Sequence, residues 1–302
     1  MADPSPFHPG EQEMQTLAGV RERMDVRGVR AIRDFMPDQH RQFFTELALL
    51  PLAMNDPRGW PAATILRGPP GFIATPDARR MRLAIPPAEV APPGAVLRPG
   101  AGVGVLGIVF ATRRRNRMNG VVAGLDAGGV ELAVVQSFGN CDQYIRRRDP
   151  PAEPAADAGA EDVPGPAEVL DALDLAGRAL VGRADTMFVA SAAAPDPDGA
   201  VDISHRGGQP GFLRLDGDRL TVPDYPGNRY FNTLGNFLVN PRAALLIPDF
   251  ATGGVLHLAG PVAVRNGGGG FAGAERHWEL QVVSAWRRAG VLPRGWSAPI
   301  AA

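Results

Sequence analysis

The residues best suited to bind an anion lie between positions 202 and 240. A strand-like run ends in Ser204-His205-Arg206, and a turn then leads to a segment that is predicted to be helical over 228–238. The first turn of a helix has amide groups without intrahelical partners and the positive end of the helix dipole, and both favour a phosphate. We expect Asn228 to cap this helix and the Arg229 guanidinium to supply a fork of donors for phosphate oxygens.

Three further polar residues follow on the same predicted helix: Asn232, Thr233 and Asn236. Asn232 and Asn236 are four residues apart, so they share one helix face. On that face, polar side chains would meet a ligand rather than an apolar core. The alternative is a solvated helix with an ordinary asparagine cap, and spacing alone does not separate the two.

Two gaps in the composition limit the chemistry. The chain has no lysine, so it has no nucleophile for a Schiff base, and any phosphate must be held by arginines, hydroxyls and backbone amides. Cys141 is the only cysteine, which excludes an internal disulfide, a CxxC redox pair and a cysteine-ligated iron–sulfur cluster. The five histidines are too widely spaced for a metal cluster, so no metal site is predicted.

The charge and hydropathy of the chain narrow its partners. The formal net charge of −1 gives no broad attraction to nucleic acid or to an anionic membrane. No apolar run reaches the 18 or so residues that a membrane-spanning helix needs. The first residues lack the basic start and apolar run of a signal peptide, so we expect a cytoplasmic protein.

Short apolar runs separated by Gly and Pro turns predict a mainly β fold with flanking helices, of the barrel or sandwich kind. Besides the helix already named, the helical segments are predicted at 14–33, 142–148 and 167–180. Residues 149–166 hold Pro, Ala, Gly and acids without a large apolar side chain, which is typical of a linker. The chain is therefore divided into an N-terminal half, 1–148, and a C-terminal half, 167–302.

The two halves resemble each other. Pro70-Gly71-Phe72 recurs as Pro210-Gly211-Phe212, and Phe110-Ala111-Thr112 recurs as Phe250-Ala251-Thr252. Both matches have the same displacement of 140 residues, which favours duplication of one barrel. The alternative is coincidence between turns in a glycine-rich chain.

Several motifs, in order, resemble the pyridoxamine-5′-phosphate-oxidase-like FMN-binding split-barrel family, and in particular its two-domain bacterial members. The motifs are GVLGIVFATRRRNRMNG at 104–120, QSFGNCDQYIRRR at 136–148, SHRGGQPGF at 204–212, VPDYPGNRYFNTLGN at 222–236 and LLIPDF at 245–250. The resemblance covers most of residues 42–262. It implies two tandem FMN-binding split β-barrels.

The resemblance also implies roles for single positions in the C-terminal half. The strand Ser204-His205-Arg206 resembles the family strand that lies along the flavin and sends an arginine to its phosphate. Pro223 and Asp224 match the strand end beside the flavin ring. Asn228 and Arg229 match the pair that holds the phosphate, although the family often has lysine where this chain has Arg229.

The N-terminal half departs from the family pattern. Residues 86–102 replace the whole helix-start element, so this half is predicted to have a degenerate phosphate site. Gln136 and Ser137 resemble a polar pair that the family contributes across a barrel interface. Arg113, Arg115 and Arg117 alternate along a predicted strand, and they either form a solvated edge or reach the flavin or an anionic substrate from the neighbouring barrel.

These observations predict an FMN-dependent oxidoreductase that acts on a small molecule, with NAD(P)H or a partner reductase as electron donor and a homodimer as the assembly. A flavin carries the redox chemistry itself, so no acid–base triad need be visible in the chain. The alternatives are a non-catalytic flavin or haem binding protein or sensor, and a reductase that uses the deazaflavin F420. One fold hosts many chemistries, so the resemblance does not separate them.

Overall fold

The computed structural model describes residues 5–151 and 164–300, which form two large antiparallel sheets. The predicted linker, 149–166, falls mostly on residues outside the described ranges. No helix in those ranges is long and apolar enough to cross a membrane.

The first sheet is built from seven strands of the N-terminal half. Its strands are β1 (Leu49–Asn55), β2 (Pro61–Arg67), β3 (Ile73–Asp77), β4 (Arg80–Leu83), β5 (Gly102–Val109), β6 (Arg114–Asp126) and β7 (Gly129–Gly139). They are hydrogen-bonded in the order β2-β1-β5-β6-β7-β4-β3.

The second sheet repeats this arrangement. Its strands are β8 (Glu168–Leu170), β9 (Thr186–Ala192), β10 (Val201–Gly207), β11 (Arg214–Asp216), β12 (Arg219–Asp224), β13 (Arg242–Asp249), β14 (Gly254–Asn266), β15 (Arg276–Gln281) and β16 (Ser284–Arg288). The main order is β10-β9-β13-β14-β15-β12-β11, and β16 joins β14 to β8. The two orders are the same when each strand is matched with the strand eight places later in the chain. Strands β2, β5 and β6 precede their counterparts β10, β13 and β14 by the 140 residues seen in the sequence. The predicted mainly β fold with flanking helices is confirmed, and the two sheets repeat each other as the duplication predicted.

Six helices flank the sheets in the described ranges. They are α1 (Pro9–Leu17), α2 (Arg21–Ala31), α3 (Asp38–Thr45), α4 (Pro87–Val90), α5 (Leu175–Arg183) and α6 (Asn232–Val239). The single helix predicted over 14–33 is wrong, because Gly19 adopts the left-handed φ of 65° that ends a helix. The helix predicted at 167–180 starts later, after Asp174 caps it by accepting from Gly177 N at 2.9 Å. Residues 142–148 form a turn rather than the predicted helix.

An apolar core joins the two halves. Each half has a core of its own, and a third cluster combines residues of β1, β2 and β5 with residues of β9, β10 and β13. Phe110 and Phe250, which the 140-residue displacement relates, contact each other edge to face with ring centroids 5.3 Å apart. A contact between equivalent residues is what a two-fold arrangement of two copies produces. The halves therefore pack as a pseudo-dimer within one chain.

Candidate functional site

One pocket lies between the halves, and most of the predicted site residues line it. Strand β6 of the N-terminal half supplies Arg115 and Arg117. The C-terminal half supplies Ser204, His205, Arg206, Pro223, Asp224, Asn228, Arg229, Asn232 and Thr233. Residues more than 80 positions apart in the chain therefore meet at one place because the two sheets pack against each other.

Strand β10 divides its side chains between the pocket and the core. Ser204 and Arg206 face the pocket. Ile203 belongs to the apolar cluster between the halves, and His205 contacts that cluster. This follows from the two-residue period of a strand. The His205 ring lies edge-on to Phe188, with centroids 5.8 Å apart, and only 4% of the residue is exposed.

The predicted cofactor residue His205 lines the pocket and contacts Arg115 there. The Nη1 of Arg115 lies 3.2 Å from His205 Nδ1, and because a guanidinium only donates, Nδ1 accepts this hydrogen bond. Burial, together with Arg115 and Arg206, lowers the pKa of His205 well below its ordinary value. The imidazole is therefore neutral and helps to position Arg115.

The two arginines of β6 that line the pocket are not solvated edge residues, since Arg117 is buried and Arg115 is half-buried. Arg115 donates from Nε to the carbonyl oxygen of Cys141 at 2.6 Å. Arg117, which is 2% exposed, donates from Nη1 to Asp202 Oδ1 at 3.0 Å and from Nη2 to Ser204 Oγ. Arg113 does not join them, since it lies in the turn before β6 at a φ of 55°. Of the three arginines that were predicted to alternate along this strand, Arg115 and Arg117 therefore reach the pocket between the halves.

The pocket wall carries more positive than negative charge. Among the described residues that line it are four arginines, namely Arg115, Arg117, Arg206 and Arg229, and a single carboxylate, Asp224. Burial and the neighbouring guanidinium groups of Arg206 and Arg117 lower the pKa of Arg115 to about 10. The neighbouring cations destabilise the charged form of Arg115, and an anionic ligand would stabilise it.

Asp224 lies at the end of β12, next to Pro223, and only 5% of it is exposed. Its carboxylate oxygens are 3.8 Å from Arg206 Nη2 and 3.8 Å from Arg276 Nε. Burial raises the pKa of Asp224, and the two arginines act in the opposite direction. The Arg206 contact is long, so this guanidinium retains hydrogen-bonding capacity for a ligand.

Beneath the pocket lies a buried polar network centred on Asp202. Besides Arg117, the Asp202 carboxylate accepts from Asn119 Nδ2 at 2.7 Å and from Asn236 Nδ2 at 3.0 Å. Asn236 also donates to Ser191 Oγ at 2.9 Å. The predicted cofactor residue Asn236 therefore does not line the pocket; its side chain supports the wall from behind.

Helix α6 begins at Asn232, four residues later than predicted. Arg229 and Phe231 adopt the left-handed φ values of 68° and 62°, which an α-helix does not tolerate. The expectation that Asn228 caps the helix is wrong: its Oδ1 accepts from Tyr230 N at 3.1 Å and stabilises the turn ahead of the helix. Asn232 and Thr233 are the first helical residues, and Thr233 Oγ1 donates to Ser204 Oγ at 3.1 Å.

Arg229 lies at the rim of the pocket in an ion pair. Its Nη2 is 2.6 Å from Glu275 Oε1, and its Nη1 donates to the other carboxylate oxygen. The hydrogen bonds from Arg229 lower the pKa of Glu275. Because Glu275 already compensates Arg229, Arg115 and Arg206 are the arginines best placed to meet a phosphate.

The pocket fits a phosphate in a second respect. Arg117 Nε and Arg206 Nε are buried and have no hydrogen-bond partner among the described residues. A buried donor without a partner costs about 1–3 kcal/mol, and an anionic oxygen beside the guanidinium groups would offset this cost. The amide groups at the start of α6 also lack intrahelical partners.

Gln136 and Ser137 lie on β7, away from the pocket. Ser137 is buried, and its Oγ is 2.9 Å from His40 Nδ1 on α3. Gln136 Nε2 donates to the carbonyl oxygen of Pro6 at 3.5 Å. The structure thus brings together eleven of the fourteen predicted residues, and leaves Gln136, Ser137 and Asn236 outside the pocket.

Two site features had little or no signal in the sequence. Tyr144 and Tyr225 line the pocket and stack on each other, with ring centroids 5.2 Å apart and planes at 22°. Both tyrosines fall within the family-like motifs, which could have drawn attention to them. Glu11, on α1, reaches the site from more than 200 residues away, and no pattern marks it.

Glu11 is a buried carboxyl group next to the pocket. Helix α1 crosses α6 closely at Gly235, where a Cβ atom would come within 2.6 Å of Glu11 N. The Glu11 carboxyl accepts from His8 N at 2.9 Å and from Asn232 Nδ2. Burial, with a contribution from Asp202, raises the pKa of Glu11 to about 8. Glu11 is therefore largely protonated at neutral pH.

This protonation predicts a pH dependence of stability. The unfolded Glu11 carboxyl loses its proton near the ordinary pKa of 4.5, and the folded one near 8. The unfolded state binds fewer protons between these values, so the free energy of unfolding falls as the pH rises through them, by about 5 kcal/mol in total. We expect Glu11→Gln to remove this decline, as measured by denaturant unfolding from pH 5 to pH 9. The same decline in both proteins would contradict the assignment.

Three arginine positions of the pocket are not repeated at the place related to it by the pseudo-two-fold arrangement. The 140-residue counterparts of Arg115, Arg117 and Arg206 are Val255, His257 and Leu66. His257 is buried and stacks on Trp286, with centroids 4.6 Å apart and planes at 9°. Burial lowers the pKa of His257 to about 3, so it adds no positive charge. The pocket and its counterpart therefore differ in charge at these three positions.

Comparison with known proteins gives remote likenesses only. No family model matches the chain, and no curated protein matches its sequence. HupZ of Group A Streptococcus is 15% identical, with a TM-score of 0.29, over 39% of this chain and 94% of that one. A candidate pyridoxamine 5′-phosphate oxidase from Lactobacillus delbrueckii is 15% identical, with a TM-score of 0.29, over 39% of this chain and 98% of that one. The inhibitor of motility MotI/DgrA of Bacillus subtilis is 10% identical, with a TM-score of 0.22, over 84% of this chain and 88% of that one. By themselves these likenesses assign neither a family nor a ligand.

Proposed function

We propose that the chain binds FMN in the pocket between its halves and acts as an FMN-dependent oxidoreductase on a small molecule. The observation that carries the proposal is the meeting of Arg115 and Arg117 from one half with Arg206 from the other, beside the start of α6. Arg117 and Arg229 are already paired with Asp202 and Glu275, so Arg115 and Arg206 carry the free positive charge that suits a phosphate dianion.

Arg206, Arg115 and the amides of Asn232 and Thr233 would hold the phosphate. Bound FMN would supply the hydride or electron transfer through its isoalloxazine ring. The chain itself keeps the cationic groups in place: Asp202 holds Arg117 at 3.0 Å, and His205 holds Arg115 at 3.2 Å. Groups fixed in this way need little rearrangement when negative charge arrives or develops nearby.

The geometry favours FMN over haem. His205 is the histidine in the pocket wall, and its Nδ1 accepts from Arg115 while its Nε2 is buried from solvent. Neither ring nitrogen is presented to the pocket as an axial ligand for iron. A flavin carrier and the deazaflavin F420 remain alternatives, and the mass of the chromophore released from the protein separates F420 from FMN.

We expect one FMN per chain. The pocket is built once, because its pseudo-two-fold counterpart has Val255, His257 and Leu66 where the pocket has three arginines. Calorimetric titration of the apoprotein with FMN measures the stoichiometry, and riboflavin, which lacks the phosphate, is the matched control ligand. Two equivalent FMN sites per chain would contradict the assignment. With a single site per chain, a homodimer, which stays a prediction, would bind two flavins.

The enzymatic part of the proposal has its own test. The FMN-loaded protein is mixed anaerobically with NADH or NADPH, and flavin reduction is followed by absorbance. Reduction faster than that of free FMN, followed by reoxidation with air or an added acceptor, supports an oxidoreductase. A tightly bound flavin that is reduced no faster than free FMN would indicate a carrier or sensor.

A further inference from the structure

A second groove lies on the other side of the turn that precedes α6. Arg229 and Phe231 of this turn line the flavin pocket, whereas Tyr230 between them lines the second groove. Helix α2 forms much of its wall. The groove is lined by Arg23, Val26, Arg27, Arg30, Ala31, Arg33, Gly139 and Tyr230.

Four arginines of this groove lack a counter-charge. No carboxylate lines the groove, and within the described ranges Arg23, Arg27, Arg30 and Arg33 make no ion pair. Elsewhere on α2 the pattern differs, since Arg21 pairs with Asp25 at 2.5 Å. The positive charge of the groove is therefore left for something outside the described fold.

The spacing of these arginines opposes helix stability. Arg23 and Arg27 are four residues apart, and Arg27 and Arg30 are three apart, so like charges are neighbours on one face of α2. Pairs of like charge at this spacing destabilise a helix. An anion bound across them would reverse the sign of this contribution.

The size of the array indicates what kind of anion fits. Seven residues of helix separate Arg23 from Arg30, which is about 10 Å along the axis. A single phosphate is too short to meet all four guanidinium groups, whereas a chain of two or three phosphates matches the length. The groove also has apolar surface, since Val26 is 59% exposed and Arg27 lies over the Tyr230 ring at 5.4 Å.

The rest of the molecule argues against a long polyanion. The formal net charge is −1, and many of the described arginines outside the groove are paired with carboxylates, so the uncompensated positive charge is concentrated near the groove rather than spread over an extended basic surface. Nucleic-acid binding relies on such a surface. A compact ligand with several phosphates matches the local charge better.

We propose that the groove between α2 and Tyr230 is a second anion site, which binds a small molecule that carries two or more linked phosphate groups. Its source is either a nucleotide or an inorganic polyphosphate, since both present the same phosphate chain. The site does not depend on the flavin assignment, because it shares no lining residue with the pocket.

Calorimetric titration of the full chain with inorganic tripolyphosphate and, separately, with ATP tests the proposal. The site variant is Arg27→Gln/Arg30→Gln, and the control is Arg80→Gln, an exposed arginine on β4 that pairs with Asp77 outside both sites. We expect the site variant to raise the dissociation constant at least about tenfold and the control to leave it unchanged. A larger loss for ATP than for tripolyphosphate would indicate that the groove also contacts the nucleoside.

A pocket variant keeps the two sites apart. Arg206→Gln changes the flavin pocket only, so we expect its tripolyphosphate affinity at the groove to stay at the wild-type value. The proposal is overturned if neither phosphate compound binds at low ionic strength, or if Arg27→Gln/Arg30→Gln binds them as the wild type does. Binding of a short single-stranded RNA more tightly than ATP at the same residues would also overturn it, in favour of a macromolecular interface.

Discussion

Replacement of Arg206 by glutamine is expected to raise the dissociation constant for FMN about 10- to 100-fold and to leave that for riboflavin unchanged. A hydrogen bond to a charged group contributes about 1.5–3 kcal/mol, and 1.4 kcal/mol corresponds to a factor of ten. Among the described residues that line the pocket, Asp224 is the only carboxylate within ion-pair distance of Arg206, and the two groups are 3.8 Å apart. Arg206 is therefore a suitable residue to replace. The substitution therefore removes a ligand contact without breaking a short internal one. Flavin fluorescence titration measures both constants.

Arg265→Gln is the matched control for this experiment. Arg265 is an exposed arginine on β14, it lies outside the pocket, and its Nε is 3.1 Å from Glu279. We expect FMN and riboflavin to bind this variant as they bind the wild type. Equal weakening of FMN and riboflavin binding by Arg206→Gln would show that the residue contacts the ring system or supports the fold, and would remove its assignment to the phosphate.

Replacement of Arg117 by methionine is expected to lower the free energy of unfolding by about 3–5 kcal/mol in the absence of flavin. Arg117 is 2% exposed and pairs with Asp202 at 3.0 Å. Loss of one partner of a buried pair leaves the other charge without compensation, which is far more damaging than loss of a surface pair. Asp202 also lies near Glu11, whose raised pKa reflects it. Denaturant unfolding followed by tryptophan fluorescence measures the change.

The double variant Arg117→Met/Asp202→Asn tests the cause of this loss. If the uncompensated carboxylate is responsible, the second substitution restores a large part of the lost stability, so the two effects are not additive. A loss below about 1 kcal/mol for Arg117→Met, as for exposed ion pairs, would contradict the buried role. Additive losses in the double variant would also contradict it.

The two experiments distinguish the arginines of the pocket that bind a ligand from the arginine that stabilises the fold. Arg117 is compensated by Asp202 and joins β6 of one half to β10 of the other, so its main effect is on stability. Arg115 and Arg206 make no short ion pair within the described ranges, so their charge is available to a ligand. Without Asp202, three uncompensated cations would lie together in a partly buried pocket, which is electrostatically unfavourable.

The strands and their duplication could be predicted from the sequence alone. Alternating apolar residues and Gly or Pro turns are local signals, and they are sufficient to indicate a mainly β chain. The 140-residue displacement between Phe110 and Phe250 is also visible in the sequence, although their ring contact is not. Local chemistry thus determined the mainly β fold class, the repeat and the segment 204–236 as the place to look.

Only the tertiary structure decided which arginines are paired with carboxylates and which are not. The ion pair of Arg229 with Glu275 joins residues 46 positions apart, and the left-handed φ of Phe231 that delays α6 is set by packing rather than by a glycine. The hydrogen bond between Glu11 and Asn232 also depends on the tertiary structure, as does the contact of Ser137 with His40 instead of the pocket. Residue type tells which side chains can carry charge or donate a hydrogen bond, whereas compensation depends on distance in space. The tertiary structure, within the C-terminal half and between the halves, therefore determined which arginines stay free for a ligand.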